Sequence, residues 1–131
     1  MAKRITAVKT HNNNTLTESE YFSKVRSGLR RTFMYWRPMM VALENASRKY
    51  TGDNKRIKKE YHCNGCDGWF QRKLVQIDHK IPCGSLKTFE DIVPFLQRLT
   101  VEDVSLFSVM CVNCHKVKSM FERTERKNTE L

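Results

Sequence analysis

Nowhere does the sequence hold an apolar run long enough to cross a membrane, and no lipidation signal accompanies its basic residues. These absences leave no expected membrane partner. The opening stretch, MAKRITAVKTHNNNTLTE, lacks the apolar segment of a secretory signal, so the expected compartment is a reducing cytoplasm. In that setting the five cysteines are expected to serve as metal ligands, catalysts or small buried residues rather than as disulfides. Internal repeats are missing too, apart from a paired Cys-x-x-Cys. A chain of 131 residues has room for one domain and one modest core, a size that often needs a metal or a partner to hold it.

Acidic residues are also scarce, with 14 Asp/Glu against 24 Lys/Arg and a formal charge of +10. The deficit is local. Residues 1–60 carry 14 cationic and 5 anionic side chains, a net +9, whereas residues 61–131 carry 10 and 9, a net +1. A basic block of this kind points to a polyanion, and nucleic acid comes before membrane in the absence of any apolar anchor. Its candidate backbone-binding residues are Arg26, Arg30, Arg31 and Arg37, followed by Lys55, Arg56, Lys58 and Lys59.

Residues 1–16 show no apolar periodicity and read as a flexible tail, with residues 17–131 as a single domain. Thr17-Glu18-Ser19-Glu20 fits a capping box, and Phe22, Val25, Leu29, Phe33 and Trp36 follow at helical spacing, predicting a helix over 18–36. Pro38 suits the first turn of a second helix ending near Tyr50, so residues 17–60 form a basic helical region. From Tyr61 the texture changes to knuckles, turns and short strands, and residues 61–126 read as a metal-stabilised core. Val75 and Ile77 alternate with polar neighbours as in a strand. Within the insert 84–104, Phe89, Ile92, Val93, Leu96 and Leu99 keep a helical period, with Thr88 as N-cap and Pro94 expected to kink or split the helix. SLFSVMC predicts a second strand, and Val117, Met120 and Phe121 the buried face of a final helix. The fold class is α+β.

Cys63-Asn64-Gly65-Cys66 and Cys111-Val112-Asn113-Cys114 are two knuckles of the kind that close a tetrahedral Cys₄ zinc site. The 44 residues between Cys66 and Cys111 exceed the roughly 15–20 of a compact zinc ribbon, so a substantial insert must lie between the halves. Cys111 to His115 also spells a covalent haem attachment signature, but the cytoplasmic setting and the matching knuckle at Cys63 and Cys66 exclude haem. Cys83 has no partner and reads as a small buried residue, and His62 is surplus to a four-cysteine site. Trp36, Trp69 and Phe70 read as core. Closing the zinc site would draw Asp78-His79 towards His115, which is bonded directly to Cys114. Asp78 and His115 then offer an oxygen and a nitrogen to a second, divalent ion such as Mg²⁺ or Mn²⁺, leaving His79 as a base and Lys118 within reach of phosphate.

YHCNGCDGWFQRKLVQIDHKIPCGS together with SVMCVNCHKVKS resembles the HNH, or ββα-metal, endonucleases, which have an Asp-His pair on the first strand and Cys-x-x-Cys-His-x-x-Lys opening the final helix. The flanking segments VRSGLRRTFMYWRPMMVALENASRKY and GSLKTFEDIVPFLQRL are similar to those of small stand-alone phage HNH proteins. The resemblance covers roughly residues 20–126 and implies a ββα-metal core with a helical insert between its strands. It also implies metal-dependent cleavage of DNA to 5′-phosphate and 3′-hydroxyl ends, in bacterial host cytoplasm if phage-encoded. Family members often place an asparagine five residues before the third cysteine, and here that position is Leu106. Ser105, Ser108, Asn113 or the backbone is left to hold the loop bearing His79. The competing reading is a catalytically inactive, zinc-stabilised DNA-binding protein or an accessory of phage packaging or replication machinery.

Overall fold

Thr17 starts the first helix with two reciprocal bonds: its hydroxyl accepts the Glu20 N–H at 3.1 Å, and Glu20 Oε1 accepts the Thr17 N–H at 3.0 Å. The computed structural model describes residues 7–129. In chain order the elements begin with β1 (Lys9–His11), β2 (Leu16–Thr17), α1 (Glu18–Thr32), α2 (Arg37–Asn45) and β3 (Ser47–Lys49). They continue with β4 (Lys59–His62), β5 (Trp69–Phe70), β6 (Val75–His79), α3 (Ile92–Leu99), β7 (Phe107–Cys111) and α4 (Val112–Thr129), a mixed α+β architecture. Two compact units result. The first comprises Met1–Tyr35 and Pro82–Thr100, the second Trp36–Ile81 and Val101–Leu131. The insert therefore groups with α1, across the expected boundary at residue 60.

In the first unit, the stretch expected to be loose through residue 16 forms a hairpin over its described part. β1 and β2 pair antiparallel, with Lys9 opposite Thr17 and His11 opposite Leu16. Asn12, Asn13 and Asn14 turn the chain with φ of +53°, +55° and +62°, a left-handed path that asparagine tolerates better than most side chains. That explains the run of three. His11 then stacks on Tyr21 with ring centroids 4.4 Å apart. Residues 1–6 of the expected tail lie outside the described residues.

Phe22 on α1 is buried with Cys83, Leu86, Phe95 and Leu99, while Val25, Leu29, Phe33 and Ile92 pack around them. Helix α1 ends at Thr32, short of the expected Trp36, because the chain turns through 33–36 before α2 starts at Arg37, with Pro38 in its first turn. Pro94 stands in the first turn of α3, where its missing N–H forfeits no helical bond, and the 3-10 turn Phe89–Asp91 precedes it. Thr88 caps this segment as expected, and the structure adds a capping box between Thr88 and Asp91.

In the second unit β3, β4 and β5 form one antiparallel sheet, and β6 and β7 form a separate two-stranded ribbon. The expected second helix stops at Asn45 rather than Tyr50, since Ser47–Lys49 is taken up in pairing with β4. Arg48 Nε bonds Glu60 Oε1 at 2.6 Å across that pair, and its guanidinium lies 3.6 Å from the centre of the Trp69 ring. The core here is small: Leu43, Val75 and Val109 are buried, with Ala46, Tyr61, Phe70 and Ile77 packed against them.

Helix α4 departs from expectation in its rotation. Val117, Met120 and Phe121 are 68%, 64% and 66% exposed rather than buried. The helix turns its His115 and Lys118 face to the ribbon because Asp78 binds there, and at 3.6 residues per turn this sends the apolar trio outwards.

Phe95, with no exposed surface, is the centre of the first unit's core. Phe95→Ala is expected to cost about 3–5 kcal/mol, measurable as a lowered midpoint in urea unfolding followed by circular dichroism.

Candidate metal centre and adjoining site

Cysteine placement in the second unit follows from strand pairing. The register sets Val75 opposite Cys111, and the Asn64 N–H donates to Val109 O at 2.8 Å, so the first knuckle is tied to β7 two residues before the second knuckle begins. Within the first knuckle, Cys63 N–H donates to Gly68 O at 2.8 Å and Asp67 N–H to Cys63 O at 2.9 Å, with Asp67 in the left-handed region at φ +60°. A Cβ at Gly65 would come 2.9 Å from Cys114 Sγ, so the close approach of the knuckles requires glycine there.

Cys63, Cys66, Cys111 and Cys114 bring their sulfur atoms within 4.8 Å of one another. Tetrahedral zinc with Zn–S bonds of about 2.3 Å needs sulfurs about 3.8 Å apart, so this donor set fits a metal ion such as zinc. Backbone amides point at the sulfurs as well. Cys63 Sγ accepts from Cys111 N–H at 3.2 Å and from Gly65 N–H at 3.3 Å, and Cys111 Sγ accepts from Cys114 N–H at 3.5 Å. Burial pushes the Cys63 thiol up, but these amide donors outweigh it and bring it down to about 6. Cys114 moves the other way, to about 12, because the sulfurs of Cys111 and Cys63 crowd it.

Neither other candidate joins the cluster. Cys83 lies in the core of the first unit, and His62 Nε2 pairs with Asp67 Oδ1 at 3.1 Å. Of the aromatics read as core, Phe70 packs on Val75 and Val109, and Trp36 Nε1 donates to Val101 O at 2.9 Å.

Beyond the knuckle α4 doubles back along the ribbon. Asp78 lies three strand residues from Val75, the partner of Cys111, or about 10 Å at 3.3 Å per residue. Lys118 lies seven residues beyond Cys111, also about 10 Å at a helical rise of 1.5 Å per residue. The two rises match, and the side chains meet. Lys118 Nζ donates to Asp78 Oδ2, and lies 3.3 Å from His79 O and 3.4 Å from Glu122 Oε1. His115 Nε2 is 3.6 Å from Asp78 Oδ1. Burial lowers the Lys118 ammonium's affinity for its proton, but Asp78 and Glu122 outweigh burial and hold its pKa above the usual lysine value.

Asp78, His115 and Lys118 are therefore brought together. His79 follows Asp78 at the end of β6, and its ring meets Phe107, its register partner, edge-on with centroids 4.9 Å apart. Beyond it Lys80 N–H donates to Leu106 O at 2.8 Å, so a main-chain bond braces the loop where an asparagine side chain was missed. Ser108 Oγ accepts instead from Asn64 Nδ2 at 3.1 Å, and Ser105 bonds Asp103. Glu122 was not singled out in the sequence, though its i,i+4 spacing from Lys118 on a helix was the available signal.

Among the basic candidates, Arg26, Arg30 and Arg31 lie on α1 in the first unit, Arg30 over the Phe95 ring at 5.4 Å. Arg37 and the 55–59 run belong to the second unit. Lys59 is paired with Glu44 at 2.8 Å. No protein-family model, curated protein or solved structure matches this chain.

Cys63→Ser is expected to abolish stoichiometric zinc binding and to melt the second unit, while Asp78→Asn keeps both zinc and helical content. A colorimetric zinc assay beside circular dichroism checks the pair. Gly65→Ala is expected to weaken zinc retention against a competing chelator, because the knuckles must separate to admit its methyl group.

Proposed function

We propose that the chain is a metal-dependent DNA endonuclease of the HNH, or ββα-metal, type, its Cys₄ cluster holding a structural zinc ion. The observation that carries this reading is the meeting of Asp78, His115 and Lys118 where the helix following the second knuckle lies along a two-stranded ribbon. The Asp-His pair and Cys-x-x-Cys-His-x-x-Lys motif support it. Asp78 Oδ1 and His115 Nε2, 3.6 Å apart, suit adjacent positions on one small divalent ion, since ligands at about 2.1 Å and right angles lie about 3 Å apart. Bound there, Mg²⁺ or Mn²⁺ would supply neutralisation of the phosphate charge and of the departing oxygen.

The chain's own residues supply the rest. Neutral His79 takes the proton of the attacking water as its oxygen forms the new bond to phosphorus. The bond to the 3′-oxygen breaks and that oxygen takes a proton from solvent water, leaving a 5′-phosphate and a 3′-hydroxyl. Asp78 and His115 would hold the divalent ion in place, and Lys118 adds a positive charge beside the reacting phosphate.

The second reading, an inactive zinc-stabilised DNA-binding protein or phage packaging accessory, is favoured by one contact. The Lys118 ammonium already offsets the Asp78 carboxylate with the protein's own cation. Supercoiled plasmid separates the two. With Mg²⁺ or Mn²⁺ the parent protein is expected to nick it, His79→Ala to lose about 10²–10⁴-fold in rate, and Asp78→Asn to be inactive while retaining zinc. Cleavage undiminished in His79→Ala would remove that residue as base, and no cleavage with either metal would favour the binding protein.

A further inference from the structure

The second unit carries a basic cleft of about 420 Å³ apart from the Asp78 site, formed where the 55–59 run faces the 3-10 turn Arg72–Leu74. Ile57 and Tyr61 line it with Arg56, Lys58, Arg72 and Lys73. Two of the acids near the run are already engaged: Glu44 by Lys59 at 2.8 Å and Glu60 by Arg48 at 2.6 Å. Among the described residues, none of Arg56, Lys58, Arg72 and Lys73 has a carboxylate within ion-pair distance.

The walls are braced. Asn54 Oδ1 accepts the Arg56 N–H at 3.0 Å, Ile57 N–H donates to Asn54 O at 3.1 Å, and Tyr50 N–H donates to Lys58 O at 3.0 Å. Opposite, Arg72 Nη1 donates to Val75 O at 3.2 Å, which fixes its guanidinium at little further entropic cost on binding. Four unpaired cations on two braced walls over a partly apolar floor suit a row of phosphates better than a single small anion.

We infer that this cleft grips the phosphate backbone of duplex DNA at a distance from the cleaved bond, with Arg72 and Lys73 joining the 55–59 run as contacts. The inference rests on the DNA reading above but not on catalysis. Lys73 precedes Asp78 by five residues, two steps through the 3-10 turn at about 2 Å each and three along β6 at about 3.3 Å each, or about 14 Å. At one phosphate per 3.4 Å of axis on each strand, the gripped phosphates lie about four base pairs from the reacting one.

The test is the salt dependence of binding to a short labelled duplex, read by fluorescence anisotropy on zinc-loaded protein with no other divalent metal. Each phosphate contact contributes about 0.9 to the slope of log affinity against log salt, so Arg72→Gln with Lys73→Gln should flatten it by about 1.8. Arg56→Gln with Lys58→Gln should do the same. Lys9→Gln with Lys87→Gln removes equal charge from the first unit and should leave the slope unchanged. An unchanged slope in the cleft variants, equal flattening in the control, or no duplex binding by the parent protein would overturn the inference. Flattening confined to the cleft variants, in a protein that fails to nick plasmid, would support the cleft and sink only the nuclease reading.

Discussion

Four sulfur atoms drawn within 4.8 Å of one another are the constraint from which the second unit is built. The buried cluster of Leu43, Val75 and Val109 is too small to fix the geometry of a ribbon, a three-stranded sheet and two helices alone. A metal ion held by these sulfurs would do what a larger core does, by removing the freedom of the chain between residues far apart in sequence. Its first anchor is Cys63, which has no exposed surface and accepts amide hydrogens from both knuckles.

From that anchor the position of Asp78 follows by dimension alone. Strand β6 and helix α4 leave the knuckle together, one climbing 3.3 Å per residue and the other 1.5 Å, so a carboxylate three residues along one meets His115 and Lys118, four and seven residues along the other. The pairing leaves a partly buried carboxylate between an imidazole and an ammonium, where the local field is set by fixed groups rather than by solvent.

Local signals in the sequence carried the cysteine knuckles, the capping box at Thr17, the N-cap at Thr88, strand β6 and the core spacing of α1, since each depends on neighbours within a few residues. Features decided by distant partners were harder to read. Ser47–Lys49 became a strand because Lys59–His62 lay ready to pair with it, and the apolar spacing of Val117, Met120 and Phe121 was overruled by the attraction of Asp78 for the opposite helix face. The asparagine run held turn chemistry that its polarity disguised as looseness. The bond from Lys80 N–H to Leu106 O has no side-chain signature at all.

That last bond also defines a doorway. The chain leaves the ribbon at Lys80 and returns at Leu106, the two residues joined by 2.8 Å, so everything between them is an excursion whose ends are already fastened. Closing a loop on fixed ends costs free energy that grows only with the logarithm of its length, about 0.6 kcal/mol for each doubling. The excursion is accordingly the place where length can change at least cost to the second unit, in residues 82–100, which group with the first unit, rather than in 101–105, which bond within the second.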